Sequence, residues 1–337
     1  MHKKVKNQVI GGSIISSYME IISTKDDIFA QESDLLVIGA YQGEDLKEGF
    51  LSTVNEMTEG AMSKQAKLKE FDGKAGQSLF LPLGSDMQAS YLLILGLGEV
   101  DHFTEEVARE ATGTAMRVAF QHVLSVVSMQ ILGAELEDMH ARSLAKAQSE
   151  AALLSQYQYT NYKKPKTKFE ILSLSLTAPD GRSANSAKKG IEDAVTIIDG
   201  VTVARDLVNT PAQDMKPMRL AQVAENIAKM AGSSVRVRVY NREQCEKKKM
   251  GAFLAVAQGS DAEPRFIHLT YKPEGRAKKV IALVGKGVTF DSGGLSLKPG
   301  PYMETMKCDM AGSAAVLGTF ATLARLKPKV EVHGIIP

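Results

Sequence analysis

The stretch from Lys279 to Gly312 constrains this chain more than any other. It opens with five apolar residues, Val280 to Val284, which are expected to form a buried strand. Glycines at Gly285, Gly287, Gly293, Gly294 and Gly300 then break the chain into turns, with Lys286, Asp291, Lys298 and Asp309 standing among them. An apolar helical segment follows, from Ala311 to Leu326. A strand that delivers charged residues into glycine turns and then into a helix implies α/β structure, with chemistry on loops that the strand holds still.

The rest of the chain repeats that alternation. Leu35 to Ala40 and Tyr91 to Leu97 are short apolar runs ended by glycine or a small residue, the signature of buried parallel strands. Thr104 is placed to cap a helix, with Glu105 and Glu106 in the first turn where the helix dipole favours acid, and Val107, Ala111, Ala115 and Val118 at helical spacing. Val123 to Met129 and Phe169 to Leu176 read as strands, His140 to Gln156 as a polar helix, and Gln158 to Lys168 as a basic surface loop. The Ala178–Gly181 turn marks a domain edge, so the expected domains are 1–182 and 183–337. Beyond it comes a long amphipathic helix that Pro211 should end, then a helix opened by Pro217. Strands are expected over Val235 to Tyr240, Phe253 to Ala257, Phe266 to Tyr271 and Val330 to Ile336.

Composition narrows the function classes. The 337 residues carry a formal net charge of +2 and no Trp, so neither total charge nor a basic-aromatic cluster argues for nucleic acid. No apolar run approaches the ~20 residues of a membrane span. Lys3, Lys4 and Lys6 resemble the start of a secretory leader, but Gly11, Gly12 and Ser13 interrupt the apolar part, so a first strand or a disordered lead is expected there. The two cysteines, Cys245 and Cys308, lie far apart and suit a reducing, cytoplasmic setting. Gly96-Leu97-Gly98 lacks the third glycine of a dinucleotide fingerprint, and no P-loop pattern occurs.

The charged residues of the central stretch admit two readings. Asp291 and Asp309 offer the hard oxygen ligands that divalent ions prefer, and Lys286 could join them as a neutral amine. Equally, a lysine between glycines is an ordinary solvated turn, and an aspartate before a helix or before Ser-Gly-Gly is ordinary cap or turn chemistry. His268 and His333 are expected as isolated strand residues and Cys308 as an inert buried thiol, so no histidine cluster or Cys-His pair decides the matter.

Larger patterns do. VGKGVTFDSGGLSLKP at 284–299 and MKCDMAG at 306–312 set Lys, Asp, Lys and Asp apart by four, six and ten residues. With ARDLVNTPAQDMKP at 204–217 and MGAFLAVAQGS at 250–260, they closely resemble the leucyl aminopeptidase family, the two-metal cytosol aminopeptidases. The resemblance covers nearly all of 200–337 and is loose before it. It implies two α/β domains, each a mixed sheet flanked by helices. The first would be macro-like and the second an incomplete part of the catalytic domain.

The resemblance also implies an activity: release of N-terminal amino acids, leucine above all, from peptides by water activated between two divalent ions, Zn2+ or Mn2+. Lys286 and Asp309 would ligate one metal, Asp291 would bridge both, Lys298 would steady the tetrahedral intermediate, and Met306 would line the pocket for the first side chain. It further implies a cytoplasmic homo-hexamer acting on peptides, with no membrane. The family completes its site with a segment NTDAEGRL, which brings two more metal-binding carboxylates and an arginine that holds a bicarbonate. No counterpart occurs here, so the chain is expected to be C-terminally truncated and short of half the site. The alternative is an inert binding or assembly module on the same scaffold.

Overall fold

A computed structural model describes residues 19–163 and 169–337. The lead before residue 19 and the end of the expected 158–168 loop lie outside the described residues. The described chain divides into two units: the first runs to Gln158 and resumes to Val195, and the second holds Thr196 to Pro337 with the residues just after Gln158.

The first unit is built on strands β1 (Glu20–Thr24), β2 (Ser33–Ala40), β3 (Ser78–Pro82), β4 (Ala89–Gly96), β5 (Val126–Gln130) and β6 (Ser173–Thr177). They form one mixed sheet in the order β1-β6-β5-β2-β4-β3, antiparallel only where β3 meets β4. Its helices are α1 (Gly49–Met57), α2 (Ala61–Leu68), α3 (Glu105–Gln121), α4 (Ala141–Ser155) and the start of α5 (Gly181–Asn209). The apolar runs of β2 and β4 are continuous because both faces of this sheet are covered. Leu35, Val37, Leu93 and Leu95 enter one core with residues of α3 and α4, while Leu36, Ile38, Leu92 and Ile94 enter another with residues of α1 and α2.

Local chemistry explains where the elements begin. The Thr104 hydroxyl accepts from the Val107 N–H at 3.4 Å and starts α3 as expected. The strand expected from Val123 begins only at Val126. Val123 takes φ 59°, and Leu124 N–H donates to Ala119 O, so these residues close α3 instead. Likewise β6 begins at Ser173, because the Gln156 side chain holds Ile171 through both N–H and C=O at 2.9 and 3.1 Å. The helix read as polar is largely buried. Gln148 bridges the Leu132 N–H and the Gln130 C=O, and Glu150 pairs with Arg109 at 2.7 Å and Lys146 at 3.0 Å, so these two buried polar side chains are satisfied.

The second unit holds the rest of α5, then α6 (Pro217–Ala231), β7 (Val235–Tyr240), α7 (Arg242–Lys247), α8 (Gly251–Val256), β8 (Phe266–Tyr271), β9 (Val280–Val284), α9 (Gly300–Met303), α10 (Ala311–Leu326) and β10 (Glu331–Ile336). Helix α5 stops just before Pro211, and Pro217 opens α6, both as expected. The strand expected over Phe253 to Ala257 is instead helix α8. Its alanines and leucine favour helix, and Leu254 N–H donates to Met250 O at 3.1 Å. The sheet order is β7-β8-β10-β9, with β9 parallel to β10 and the other pairs antiparallel. Ile267, Leu269, Tyr271, Val332 and Ile336 pack with α6 and α10 residues into one core on one face. Helices α5 and α10 touch at Gly200 and Gly318: a Cβ on either would lie 2.5 or 2.4 Å from the other's carbonyl oxygen. Among the described residues no helix is long and apolar enough to cross a membrane.

A further expectation fails at β9. The apolar run of β9 is not buried: Val280 is 67% exposed, Ile281 42% and Val284 71%. It is the edge strand of its sheet, and only Leu283 packs against the core.

Candidate functional site

The turns after β9 are clamped by backbone contacts. Gly285 N–H donates to Ile335 O at 2.9 Å, Gly287 N–H to Pro337 O at 3.0 Å, and Ser313 N–H to Lys286 O at 2.9 Å. Lys286 is thereby fixed between the end of β10 and the first turn of α10. Only glycine fits beside it: a Cβ on Gly285 would lie 2.4 Å from Gly312 O, and one on Gly312 would lie 2.9 Å from Lys286 N. The glycines of the motif therefore allow close backbone approach.

The four charged residues form two pairs, one nested within the other in sequence. Lys286 Nζ lies 2.9 Å from Asp309 Oδ2, and Lys298 Nζ lies 2.8 Å from Asp291 Oδ2. Asp291 Oδ1 also accepts from the Gly293 N–H at 2.9 Å. The Lys298 ammonium, helped by that N–H, holds the Asp291 carboxyl below the usual range. Asp309 beside it, with the Asp291 charge farther off, raises the Lys286 pKa against the opposing effect of burial. Asp309 Oδ2 is buried, and the Lys286 ammonium 2.9 Å away is its ion-pair partner. Its close neighbour is the Lys286 ammonium, and a divalent ion could take the ammonium's place.

All five residues singled out in the sequence are described, and four of them lie in those two pairs. Met306 joins the second, its sulfur 3.0 Å from Lys298 Nζ. Cys308, expected to be buried, is half-buried, and Cys245 is the buried thiol. Lys307 went unmarked in the sequence. Its Nζ donates to Asn209 O at 3.0 Å and ties the MKCD turn to the end of α5, and its place two residues before Asp309 is the signal that could have flagged it. His268 and His333 are strand residues as expected, but they are not isolated: their ring nitrogens lie 2.9 Å apart. Sequence spacing hid this because the contact joins two strands 65 residues apart.

The donor set fits a divalent ion in part. Two carboxylates and one amine lie near the β9 turns, and each carboxylate is in an ion pair with a lysine. Among the described residues no group of three or more His, Cys, Asp or Glu side chains stands ready to hold a metal. A cavity of about 390 Å³ in the first unit, lined by His140, Arg142, Arg182 and neighbouring serines, contains none of these residues.

Comparison with known proteins agrees with the motifs. Residues 202–337 match the catalytic domain of the cytosol aminopeptidase family, and 37–166 match that family's N-terminal domain. A probable cytosol aminopeptidase of Aquifex aeolicus is 37% identical over 321 residues, covering 94% of this chain and 62% of the relative. One from Nostoc punctiforme is 38% identical over 305 residues, covering 90% and 60%. Among solved structures, a tomato leucine aminopeptidase variant superposes with a TM-score of 0.80 at 28% identity, over 94% of this chain and 62% of its own. The bottromycin maturation enzyme BotP in complex with Mn gives 0.71 at 27%, over 90% and 59%. The chain belongs to the cytosol aminopeptidase family, also called the leucine aminopeptidase family, and spans about three fifths of the length of the relatives it matches.

Proposed function

We propose that this chain carries the first part of the catalytic centre of a metal-dependent aminopeptidase that removes N-terminal residues, leucine-type above all, from peptides. Lys286 and Asp309 would hold one divalent ion, Asp291 would be shared with a second, and the manganese complex of a related structure supports Mn2+ as a candidate beside Zn2+. When bound, such ions lower the pKa of water and anchor a free amine. Lys298 sits beside Asp291 as a cation positioned to stabilise a developing oxyanion, a role commonly worth about 3–4 kcal/mol in the barrier. Met306 would present an apolar surface to the first side chain. The observation that carries the reading is the pair of carboxylates, the Asp309 Oδ2 buried, held by lysines in the nested Lys286–Asp309 and Lys298–Asp291 pairs.

The second reading, an inert binding or assembly module, draws support from the small number of carboxylates. Two cannot saturate two ions that each take several oxygen ligands. In the first reading further carboxylates and the bicarbonate site come from the part of the relatives this chain does not match, and cytoplasmic assembly as a homo-hexamer goes with it. The two readings separate in an assay of leucine p-nitroanilide hydrolysis with added Mn2+. It is run on this chain and on a version extended with the remaining part of a relative. Turnover by the extended version, with ion uptake that Asp291→Ala abolishes in calorimetry, is the expected result. Silence from both versions favours the inert module.

A further inference from the structure

The second sheet carries a cluster that the aminopeptidase reading does not use. On the face of β8 and β10 away from the core, His268 Nε2, His333 Nδ1 and Thr270 Oγ1 point at one another. The two nitrogens lie 2.9 Å apart, and the hydroxyl lies 3.4 Å from each. The donors of a tetrahedral zinc site, with bonds of about 2.0–2.1 Å, stand roughly 3.3 Å apart. These three atoms therefore already outline one face of such a tetrahedron. Glu331 Oε1 lies 3.2 Å from His333 Nε2, on the far side of the same ring. A carboxylate there holds the ring proton on Nε2 and leaves the Nδ1 lone pair facing His268, the arrangement that orients metal-binding histidines.

We propose that His268 and His333 form a binding site for a divalent transition ion of the zinc class, with the Thr270 hydroxyl or a water as a further ligand and Glu331 as the positioning residue. The site would clamp β8 to β10. Without metal, His268 Nε2–H donates to His333 Nδ1. On binding, that proton leaves Nε2 and Nδ1 of the same ring takes one up, so the ring stays neutral and both facing lone pairs reach the ion. Burial first, then His333 and Arg238, keep the His268 pKa below its ordinary value, which favours the neutral ring at pH 7.

The surroundings set the affinity. From β7, Arg238 stands directly opposite His268 and opposes a cation. Just past the end of β8, Lys272 lies 3.9 Å from Glu331 and competes for it. From β9, only Ala282 stands opposite His333, a small side chain that leaves the approach open.

Zinc titration of the chain, followed by calorimetry and by the ring-nitrogen NMR signals of its histidines, tests this. The expected result is that zinc moves the His268 and His333 ring signals together. Affinity at that site should fall more than about tenfold in His268→Gln and in His333→Gln, and by about tenfold in Glu331→Ala. Arg238→Ala should tighten binding severalfold, which keeps the test decisive if a histidine variant folds poorly. No zinc uptake, uptake that leaves both rings unmoved, or unchanged affinity in the folded variants overturns the proposal. Uptake at the β9 turns would not move these rings, so the outcome is independent of the aminopeptidase reading.

Discussion

Two strands that look alike in sequence meet opposite fates. The β2 run and the β9 run are both short, apolar and followed by small residues. Leu35, Val37 and Ile38 are fully buried, whereas Val280 and Val284 are mostly exposed. The difference lies in position. Strand β2 is internal to a sheet with helices on both faces, and β9 is the edge of a sheet covered on one. An apolar run states what a strand can bury, and its neighbours decide what it does bury.

The sharpest way to break that comparison is to substitute one side chain in each sheet. Leu93→Ala in β4, a fully buried position, is expected to cost about 2–5 kcal/mol. Val284→Lys in β9 is expected to change stability by no more than about 0.5 kcal/mol, because a charge at a solvated edge loses little. Urea unfolding read by circular dichroism measures both, and equal losses would erase the distinction.

A smaller effect tests whether the β9 edge is anchored at its end despite its exposure. Gly285→Ala forces a Cβ against the Gly312 carbonyl and should cost about 1–3 kcal/mol. It should also weaken divalent-ion uptake, since Lys286 and α10 meet there. An unchanged melting temperature together with unchanged uptake would show that the clamp is not needed.

The smallest effect, a pH response, belongs to the first sheet. Asp34 accepts from Ser125 N–H at 2.6 Å, Val126 N–H at 2.9 Å and the Ser125 hydroxyl at 3.0 Å. Burial acts to raise its pKa, but these bonds outweigh it and hold the carboxyl below the usual range. The folded value lies below the unfolded one. The stabilisation is therefore complete above the ordinary carboxylate pKa of about 3.9 and is lost as pH falls through the folded value. The melting temperature should drop below about pH 4, and Asp34→Asn should flatten that slope. An identical slope in the variant would remove Asp34 from the account.

Much of this was legible in the residues. Thr104, Pro211 and Pro217 act locally, through a cap or a missing N–H, so their positions predicted helix ends directly. The spacing of Lys286, Asp291, Lys298 and Asp309, read with the glycines around them, pointed to one cluster, and the resemblance supplied its chemistry. Other features resisted. Residues 253–257 were misread because a five-residue apolar run does not distinguish helix from strand by period. The start of β6 was missed because a distant side chain, Gln156, takes the hydrogen bonds that a ladder would have used. The nested pairing, Lys286 with Asp309 and Lys298 with Asp291, could not be read from spacing, since either lysine could have met either acid.

By itself the sequence determined the family, the α/β class and the residue types gathered near the β9 turns. Those follow from local propensity and from motifs whose spacing is carried in the chain. Only the tertiary structure decided which side chains touch, which oxygen of Asp309 meets Lys286, and that two histidines 65 residues apart share a sheet face. Contacts of that kind depend on strand order and register, which arise when separate segments pack together and leave no trace at any single position.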